Sequence, residues 1–120
     1  MSKESELKQQ IKKARETLKQ ALDKYYQWMK EGNYTKDLKE YAGKDLKSIS
    51  VILDNGEVKL FGGYEIMNVT NDGHLNISDY DWGLLNYDSE EKAYVRWYHF
   101  HKSVYHIKGF FDIEVEDDRI

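Results

Sequence analysis

The chain has 120 residues, the size of one ordinary domain, and the sequence predicts a single domain over residues 1–120. The absence of cysteine excludes disulfides and thiolate metal sites, and the net charge of −4 disfavours nucleic acid as a partner. Since the sequence shows neither an apolar signal segment nor an apolar run of bilayer-spanning length, we expect a cytoplasmic protein with no membrane partner.

Residues 2–31 show the pattern of an amphipathic helix. Apolar side chains recur every three or four residues, Ser2 is a typical N-cap, and Gly32 is a typical C-terminal stop. The stripe is nearly heptad-spaced, so a coiled-coil dimer is one interpretation, whereas the aromatic cluster at 25–28 favours packing on a sheet. The stripe consists of Leu7, Ile11, Ala14, Leu18, Ala21, Leu22, Tyr25 and Met29.

A short second helix and a β-hairpin are predicted next. Thr35 is a suitable cap for a helix over 35–42. Apolar and polar residues then alternate at 49–53 and at 58–60, on either side of the turn signal Asp54-Asn55-Gly56. This pattern indicates two antiparallel strands joined by a tight turn.

The rest of the chain predicts a third short helix and three strands. Gly62-Gly63 interrupts the alternation, residues 64–69 are assigned to helix rather than strand, and Asn71-Asp72-Gly73 is a turn. The absence of proline is compatible with long central strands. The three strands are expected at 76–87, 93–102 and 106–116.

This order of elements resembles the NTF2-like superfamily, which includes SnoaL-like cyclases and ketosteroid isomerases. The resemblance is carried by residues 25–34 at the end of the first helix, by residues 61–66, and by the closing segments 94–109 and 116–120. It implies an α+β fold in which a long N-terminal helix and short helices pack on a curved antiparallel sheet. Such a cone encloses an apolar pocket.

The strand at 93–102 carries aromatic residues on both faces. Alternation places Val95, Trp97 and His99 on one face and Tyr94 and Arg96 on the other. We expect the face of Trp97 to point inward, because the other face carries a guanidinium group. A register slip of one residue reverses this assignment.

If the cone closes as the resemblance implies, His99 approaches a pocket beneath the first helix. An imidazole is suited to general acid–base catalysis, and the phenol of Tyr26 can donate to a developing enolate. Asp79 or Asp81 can orient the histidine or act as a base, and Asp81 is the one chosen. The catalytic candidates are therefore His99, Tyr26 and Asp81. The candidate ligand-binding residues are Tyr25, Trp28, Trp97, His101 and Phe111. Against this hypothesis, a histidine in an aromatic strand is more often packed and hydrogen-bonded than catalytic.

The sequence predicts no metal and no cofactor. His99 and His101 form a bare H-x-H pair that needs His106 as a third ligand, which is a weak metal signal. The leading hypothesis is a homodimeric protein that binds a small apolar organic ligand and is either a binding protein or an isomerase, cyclase or dehydratase. The alternative is a non-enzymatic protein-interaction module, such as a small acidic inhibitor or immunity-type protein.

Overall fold

The computed structural model describes residues 2–116, so residues 117–120 of the predicted closing segment at 116–120 lie outside the described residues. Its contacts divide the chain into two compact units, of which the first ends at Asn33 and the second begins at Tyr34. The first unit is helical and the second consists largely of antiparallel strands. The predicted combination of a long N-terminal helix with a curled antiparallel sheet is confirmed.

The first unit is one helix, α1, which spans Lys3–Lys30. The hydroxyl of Ser2 accepts a hydrogen bond from the backbone N–H of Ser5 at 3.2 Å, so the predicted N-cap is confirmed. Gly32 follows the helix with φ of 112°, a conformation that favours glycine and ends the helix as predicted. Within residues 2–116 the structure contains no helix with the length and apolar character of a bilayer span.

The second unit is a seven-stranded antiparallel sheet that curls into a half-barrel. Its strands are β1 (Asp45–Leu53), β2 (Val58–Val69), β3 (Leu75–Asp79), β4 (Gly83–Asp88), β5 (Ala93–Tyr98), β6 (His101–Tyr105) and β7 (Ile107–Val115). Their order across the sheet is β6-β5-β4-β3-β2-β1-β7. Every neighbouring pair except β1 and β7 is consecutive in the chain, so hairpin turns position most of the sheet.

The predicted hairpin around Asp54-Asn55-Gly56 is confirmed, but three predicted elements are wrong. Residues 64–69 form no helix, because β2 continues to Val69 after an irregularity at Gly62-Gly63. The predicted strand at 76–87 is two strands, β3 and β4, and the one at 93–102 is also two, β5 and β6. Each pair is joined by a short turn, at residues 80–82 and at residues 99–100.

The predicted helix at 35–42 is reduced to a single 3₁₀ turn, Lys39–Tyr41. Thr35 does not cap it. Instead, the backbone N–H of Thr35 donates to the carbonyl of Phe110 and the N–H of Phe110 donates to the carbonyl of Thr35, both at 2.8 Å. This isolated bridge extends the sheet beyond β7, and the ring of Tyr34 lies where a Cβ on Gly109 would stand.

The core of the second unit lies on the concave face of the sheet. It consists of Leu38, Leu46, Ile49, Val51, Leu53, Phe61, Met67, Val69, Leu75, Ile77, Leu85, Tyr94 and Phe110. Tyr94 belongs to this cluster, whereas Trp97 is 46% exposed and His99 is exposed, so the expectation that Trp97 and His99 face inward is wrong. Val95 is buried but does not belong to the cluster. The interior-facing side of β5 is the side of Tyr94 and Arg96.

Candidate functional site

An exposed apolar row crosses the convex face of the half-barrel. The register pairs Ile66 with Ser78, Ser78 with Leu84, and Leu84 with Trp97, so these side chains lie side by side across β2, β3, β4 and β5. Their immediate neighbours Met67, Ile77 and Leu85 point to the core, as alternation along a strand requires. Ile66, Leu84 and Trp97 therefore face solvent.

Two loop-tip aromatics stand beside this row. Tyr80 in the β3–β4 turn is 99% exposed, and Phe100 in the β5–β6 turn is 98% exposed. Both turns lie at the same end of the sheet, because Leu84 near the start of β4 pairs with Trp97 near the end of β5. Ile66, Tyr80, Leu84, Trp97 and Phe100 together are called the apolar patch below.

Gly83 brings the two turns close together. Its φ is 101°, and a Cβ at this position would overlap the carbonyl oxygen of Trp97. The contact is with backbone, which cannot rotate away as a flexible side chain can. Glycine is therefore required where the β3–β4 turn enters β4, and it allows β4 to approach β5 directly beneath the patch.

Side chains on the concave side of the sheet hold the β3–β4 turn in place through contacts with Trp82. The Nε of Arg96 donates a hydrogen bond to the backbone carbonyl of Trp82. The guanidinium group also lies 4.4 Å from the ring centroid of Trp82 and 5.1 Å from that of Tyr98. Such cation–π contacts add about 0.5–2 kcal/mol each. Trp82 in turn packs edge-on against Phe61, with ring centroids 5.1 Å apart.

The charges around the patch are mixed but include a carboxylate-rich turn. The carboxylate of Asp79 accepts a hydrogen bond from the backbone N–H of Asp81 at 2.9 Å, which shapes the turn that carries Tyr80. Lys102 pairs with Trp97 across β5 and β6 and forms an ion pair of 3.3 Å with Glu91. This pair is substantially exposed, so it contributes little to stability.

Four of the sequence-predicted site residues lie at this end of the sheet. Asp81 is in the β3–β4 turn, Trp97 is near the end of β5, His99 is in the β5–β6 turn and His101 begins β6. All four are partly or largely exposed. The ring of His99 packs against Tyr98, with centroids 4.3 Å apart. Their predicted roles in catalysis and ligand binding stay predictions.

The other predicted site residues lie elsewhere in the chain. Phe111 is buried in β7, where it pairs with Ser50 of β1. Tyr25, Tyr26 and Trp28 belong to α1 in the first unit, and the rings of the two tyrosines are 5.9 Å apart.

The three-histidine metal site considered as an alternative does not form. His101 begins β6 and His106 follows its last residue, so β6 separates the two. The backbone carbonyl of His106 accepts a hydrogen bond from the backbone N–H of Asp54. Within residues 2–116 no three His, Asp or Glu side chains are grouped to hold a metal ion.

The interior of the half-barrel is filled by side chains. The apolar hollow among Phe61, Trp82, Leu85, Tyr105 and their neighbours has a volume of about 10 Å³. A single water molecule needs about this much space, so no organic ligand fits there. The second unit also has larger clefts, of about 280 and 290 Å³, beside His74 and beside Asp54, and both are open to solvent and lined by polar and apolar groups alike.

Sequence reasoning missed four of the five residues of the apolar patch. Only Trp97 was a candidate, and it was assigned to an interior pocket. Recognition of the turns at 80–82 and 99–100 would have identified Tyr80 and Phe100, because an aromatic residue within a turn is expected to be exposed. The exposure of Ile66 and Leu84 follows from strand register, which the sequence does not specify.

No protein-family model, curated protein or solved structure matches this chain.

Proposed function

We propose that this chain is a non-enzymatic protein-interaction module that binds a partner protein through the apolar patch. The observation that carries the proposal is the grouping of five exposed apolar side chains on one surface, including two loop-tip aromatics that are almost fully exposed. Grouped exposed apolar residues are typical of interaction sites, and Trp and Tyr dominate the binding energy of protein interfaces.

The charge of the second unit favours a basic partner. Residues 34–120 contain ten basic and seventeen acidic side chains, a net charge of −7. Asp79 and Asp81 lie in the same turn as Tyr80. A complementary partner surface is therefore apolar at its centre and rich in Lys or Arg at its rim. An inhibitor that covers a basic surface of another protein fits this description.

The filled interior of the half-barrel supports the same interpretation. The side chains that can meet another molecule are the exposed ones of the convex face and of the turns, and the five side chains of the apolar patch are among them. The NTF2-like family, the small apolar ligand and the homodimer stay predictions.

Site-specific photocrosslinking in living cells tests the proposal. A photoreactive phenylalanine analogue replaces Phe100 in one variant and Leu60 in a control variant, because Leu60 is also well exposed but lies on β2 outside the patch. We expect the Phe100 variant alone to capture a partner with a basic surface. Capture at equal yield from both positions contradicts a binding site at the patch.

Direct titration with the purified partner completes the test. Trp97→Ser and Phe100→Ser should each weaken binding about tenfold or more, because both are central apolar contacts, whereas Leu60→Ser should leave binding unchanged. Capture of a second copy of this chain would show instead that the patch is the homodimer interface. Native mass spectrometry that finds a retained organic molecule would favour the small-ligand function.

A further inference from the structure

The apolar stripe of α1 follows a strict coiled-coil repeat. From Leu7 to Trp28 the spacing alternates between four and three residues, which is the spacing of d and a positions. The a positions are Ile11, Leu18 and Tyr25, and the d positions are Leu7, Ala14, Ala21 and Trp28. A repeat of 3.5 residues keeps such a stripe facing one partner helix along its whole length.

This stripe has no cover within its own unit, which is a single helix. Leu18 is 60% exposed and Trp28 is 54% exposed. A groove of about 370 Å³ runs between successive turns beside Ile11, and its other lining residues are Lys8, Lys12, Arg15 and Glu16. Three of these side chains are basic, so an acidic side chain from a partner is the complementary occupant.

The residues that flank the stripe specify the charge of the partner. In a coiled coil the e and g positions lie beside the seam and pair with the other helix. Here they are Lys3, Lys8, Gln10, Arg15, Thr17, Leu22, Lys24 and Met29, with four basic side chains and no acidic one. Of the four acidic residues of α1, Glu6, Glu16 and Asp23 occupy c and f positions on the far side of the helix. Glu4 occupies an a position in the first turn, before the apolar stripe begins, and pairs with Lys8.

We propose that α1 forms a two-stranded coiled coil with a helix of another protein that carries Glu or Asp at its e and g positions. Such a helix would place a carboxylate beside each of Lys3, Lys8, Arg15 and Lys24. Large apolar side chains at its seam would fill the space opposite Ala14 and Ala21. This surface belongs to the first unit, whereas the apolar patch belongs to the second.

A second copy of this chain is a poorer partner for α1. In a parallel pair Lys3 faces Lys8 of the second copy, and in an antiparallel pair basic e and g positions again meet one another or neutral residues. No interhelical ion pair forms between e and g positions in either case. In the parallel pair Ala14 and Ala21 would also meet their own equivalents and leave two thin layers in the seam.

An anionic membrane surface is also a poorer fit. Helices that lie in a bilayer interface present a broad and bulky apolar face. The a and d stripe is narrow, and two of its seven side chains are alanine.

Titration of the full chain with designed peptides tests the proposal. The acidic peptide has 28 residues, the length of α1, with Leu at every a and d position and Glu at every e and g position. The basic peptide differs only in having Lys at e and g. We expect the acidic peptide to bind at least tenfold more tightly than the basic peptide, as measured by isothermal titration calorimetry.

Charge-reversal variants locate the interaction. Lys8→Glu combined with Arg15→Glu reverses two e positions and should abolish the preference for the acidic peptide. Lys13→Glu combined with Lys19→Glu makes the same change in net charge at a c and a b position away from the seam and outside the groove, and should preserve most of the preference. All four side chains are exposed, so neither double variant disturbs a core.

Three results would overturn the proposal. The first is equal affinity for the two peptides, and the second is an equal effect of the two double variants. The third is evidence that α1 binds something other than an acidic helix. That evidence is either a dimer that Leu18→Asp dissociates in sedimentation velocity, or binding to vesicles of mixed anionic and zwitterionic lipid without binding to either peptide.

Discussion

Tyr94 joins two strands that are not neighbours in the sheet. Its hydroxyl accepts a hydrogen bond from the backbone N–H of Leu75 at 3.0 Å, so it bridges β5 and β3 across the concave face of β4. Its ring packs edge-on against Tyr87 and Phe110, with centroids 5.4 and 6.3 Å away. One buried side chain thus fixes both the curl of the sheet and the inward face of β5.

Replacing Tyr94 with phenylalanine should destabilise the fold by about 1–3 kcal/mol at neutral pH, because the ring is kept while the buried N–H of Leu75 loses its acceptor. Chemical denaturation measures this difference in the free energy of unfolding. Tyr87→Phe is the matched control, since Tyr87 is a less buried tyrosine of the same cluster. An equal loss in both variants would contradict the role assigned to the Tyr94 hydroxyl.

The same pair of proteins, wild type and Tyr94→Phe, should respond differently to alkaline pH. Burial, the largest cause, raises the pKa of Tyr94 above 10.0, the hydrogen bond from Leu75 lowers it, and the nearby Tyr87 raises it further. At a pH below the unfolded pKa, the phenol is neutral in both the folded and the unfolded state, and its full contribution to stability is present. Above it the unfolded phenol ionises first, so the contribution is lost as the pH rises toward the folded pKa.

The stability difference between wild type and Tyr94→Phe should therefore be constant at neutral pH and narrow as the pH rises past about 10, the pKa of an unfolded tyrosine. The other residues are the same in both proteins, so their effect cancels in the comparison. Denaturant titrations across this range measure the difference, and a difference that does not change with pH would show that the pKa of Tyr94 is not raised.

At the scale of elements, those with a strong local signal could be predicted from the sequence. The helix has about six turns of periodic apolar residues after a serine cap, and the first hairpin has the turn signal Asp54-Asn55-Gly56 between alternating runs. In both cases the residues that determine the backbone conformation are adjacent in the chain. Local patterns therefore suffice for α1, β1 and the first half of β2.

The remaining strands could not be delimited, because their turns lack the usual residues. The β5–β6 turn consists of His99 and Phe100, and His99 adopts a φ of 55° that glycine or asparagine usually supplies. The β3–β4 turn has its glycine, Gly83, at its end rather than at its centre. The inward face of a strand depends on its register. The turn at 99–100 was missed, and Trp97 was wrongly assigned to the interior in the same segment.

The apolar patch likewise depends on contacts between elements. Ile66 and Leu84 are 18 residues apart in the sequence and Leu84 and Trp97 are 13 apart, so the three become neighbours only through the register of four strands. Asp81, Trp97, His99 and His101 were named from the sequence for a different chemistry. The sequence shows the chemical type of these residues, but it does not show on which side of the sheet they lie.

The approach of β4 to β5 beneath the patch can be tested with two glycines. Gly83 and Gly63 have similar backbone conformations, with φ of 101° and 96°, but a Cβ at Gly63 has no heavy atom within 4 Å. Alanine at either position costs about 1–2 kcal/mol for the left-handed backbone. Gly83→Ala should cost about 1–3 kcal/mol more than Gly63→Ala, because it also forces β4 away from Trp97.

Thermal and denaturant unfolding of the two variants measures this difference, and equal losses would contradict the close contact. Gly83→Ala should also weaken partner binding through the patch, since it displaces the turn that carries Tyr80. Gly63→Ala serves as the control for binding, because it carries the same type of strain at a position outside that turn.

At the scale of the whole molecule, the charge is divided between the two units. Residues 1–33 contain eight basic and five acidic side chains, a net charge of +3, whereas residues 34–120 have a net charge of −7. The overall value of −4 hides this asymmetry. Such a division favours two surfaces that attract partners of opposite charge. It is consistent with the two proposals above, in which the first unit binds an acidic helix and the second binds a basic protein.

The division into units also predicts how the two parts behave when separated. The core cluster of the second unit is drawn entirely from residues 38–110, so a fragment of residues 34–120 should unfold in one cooperative thermal transition. A fragment of residues 1–33 has a cap, one ion pair between Glu4 and Lys8 and no tertiary core. It should lose its helicity gradually on heating, because an isolated helix is only marginally stable in water.

Circular dichroism of the two fragments measures both transitions, and addition of the acidic designed peptide to residues 1–33 should raise its helicity and make its melting cooperative. The basic peptide is the control and should leave the melting gradual. If residues 34–120 unfold without a cooperative transition, the second unit needs residues before Tyr34 to hold its core, and the boundary at Asn33 does not mark an independent folding unit.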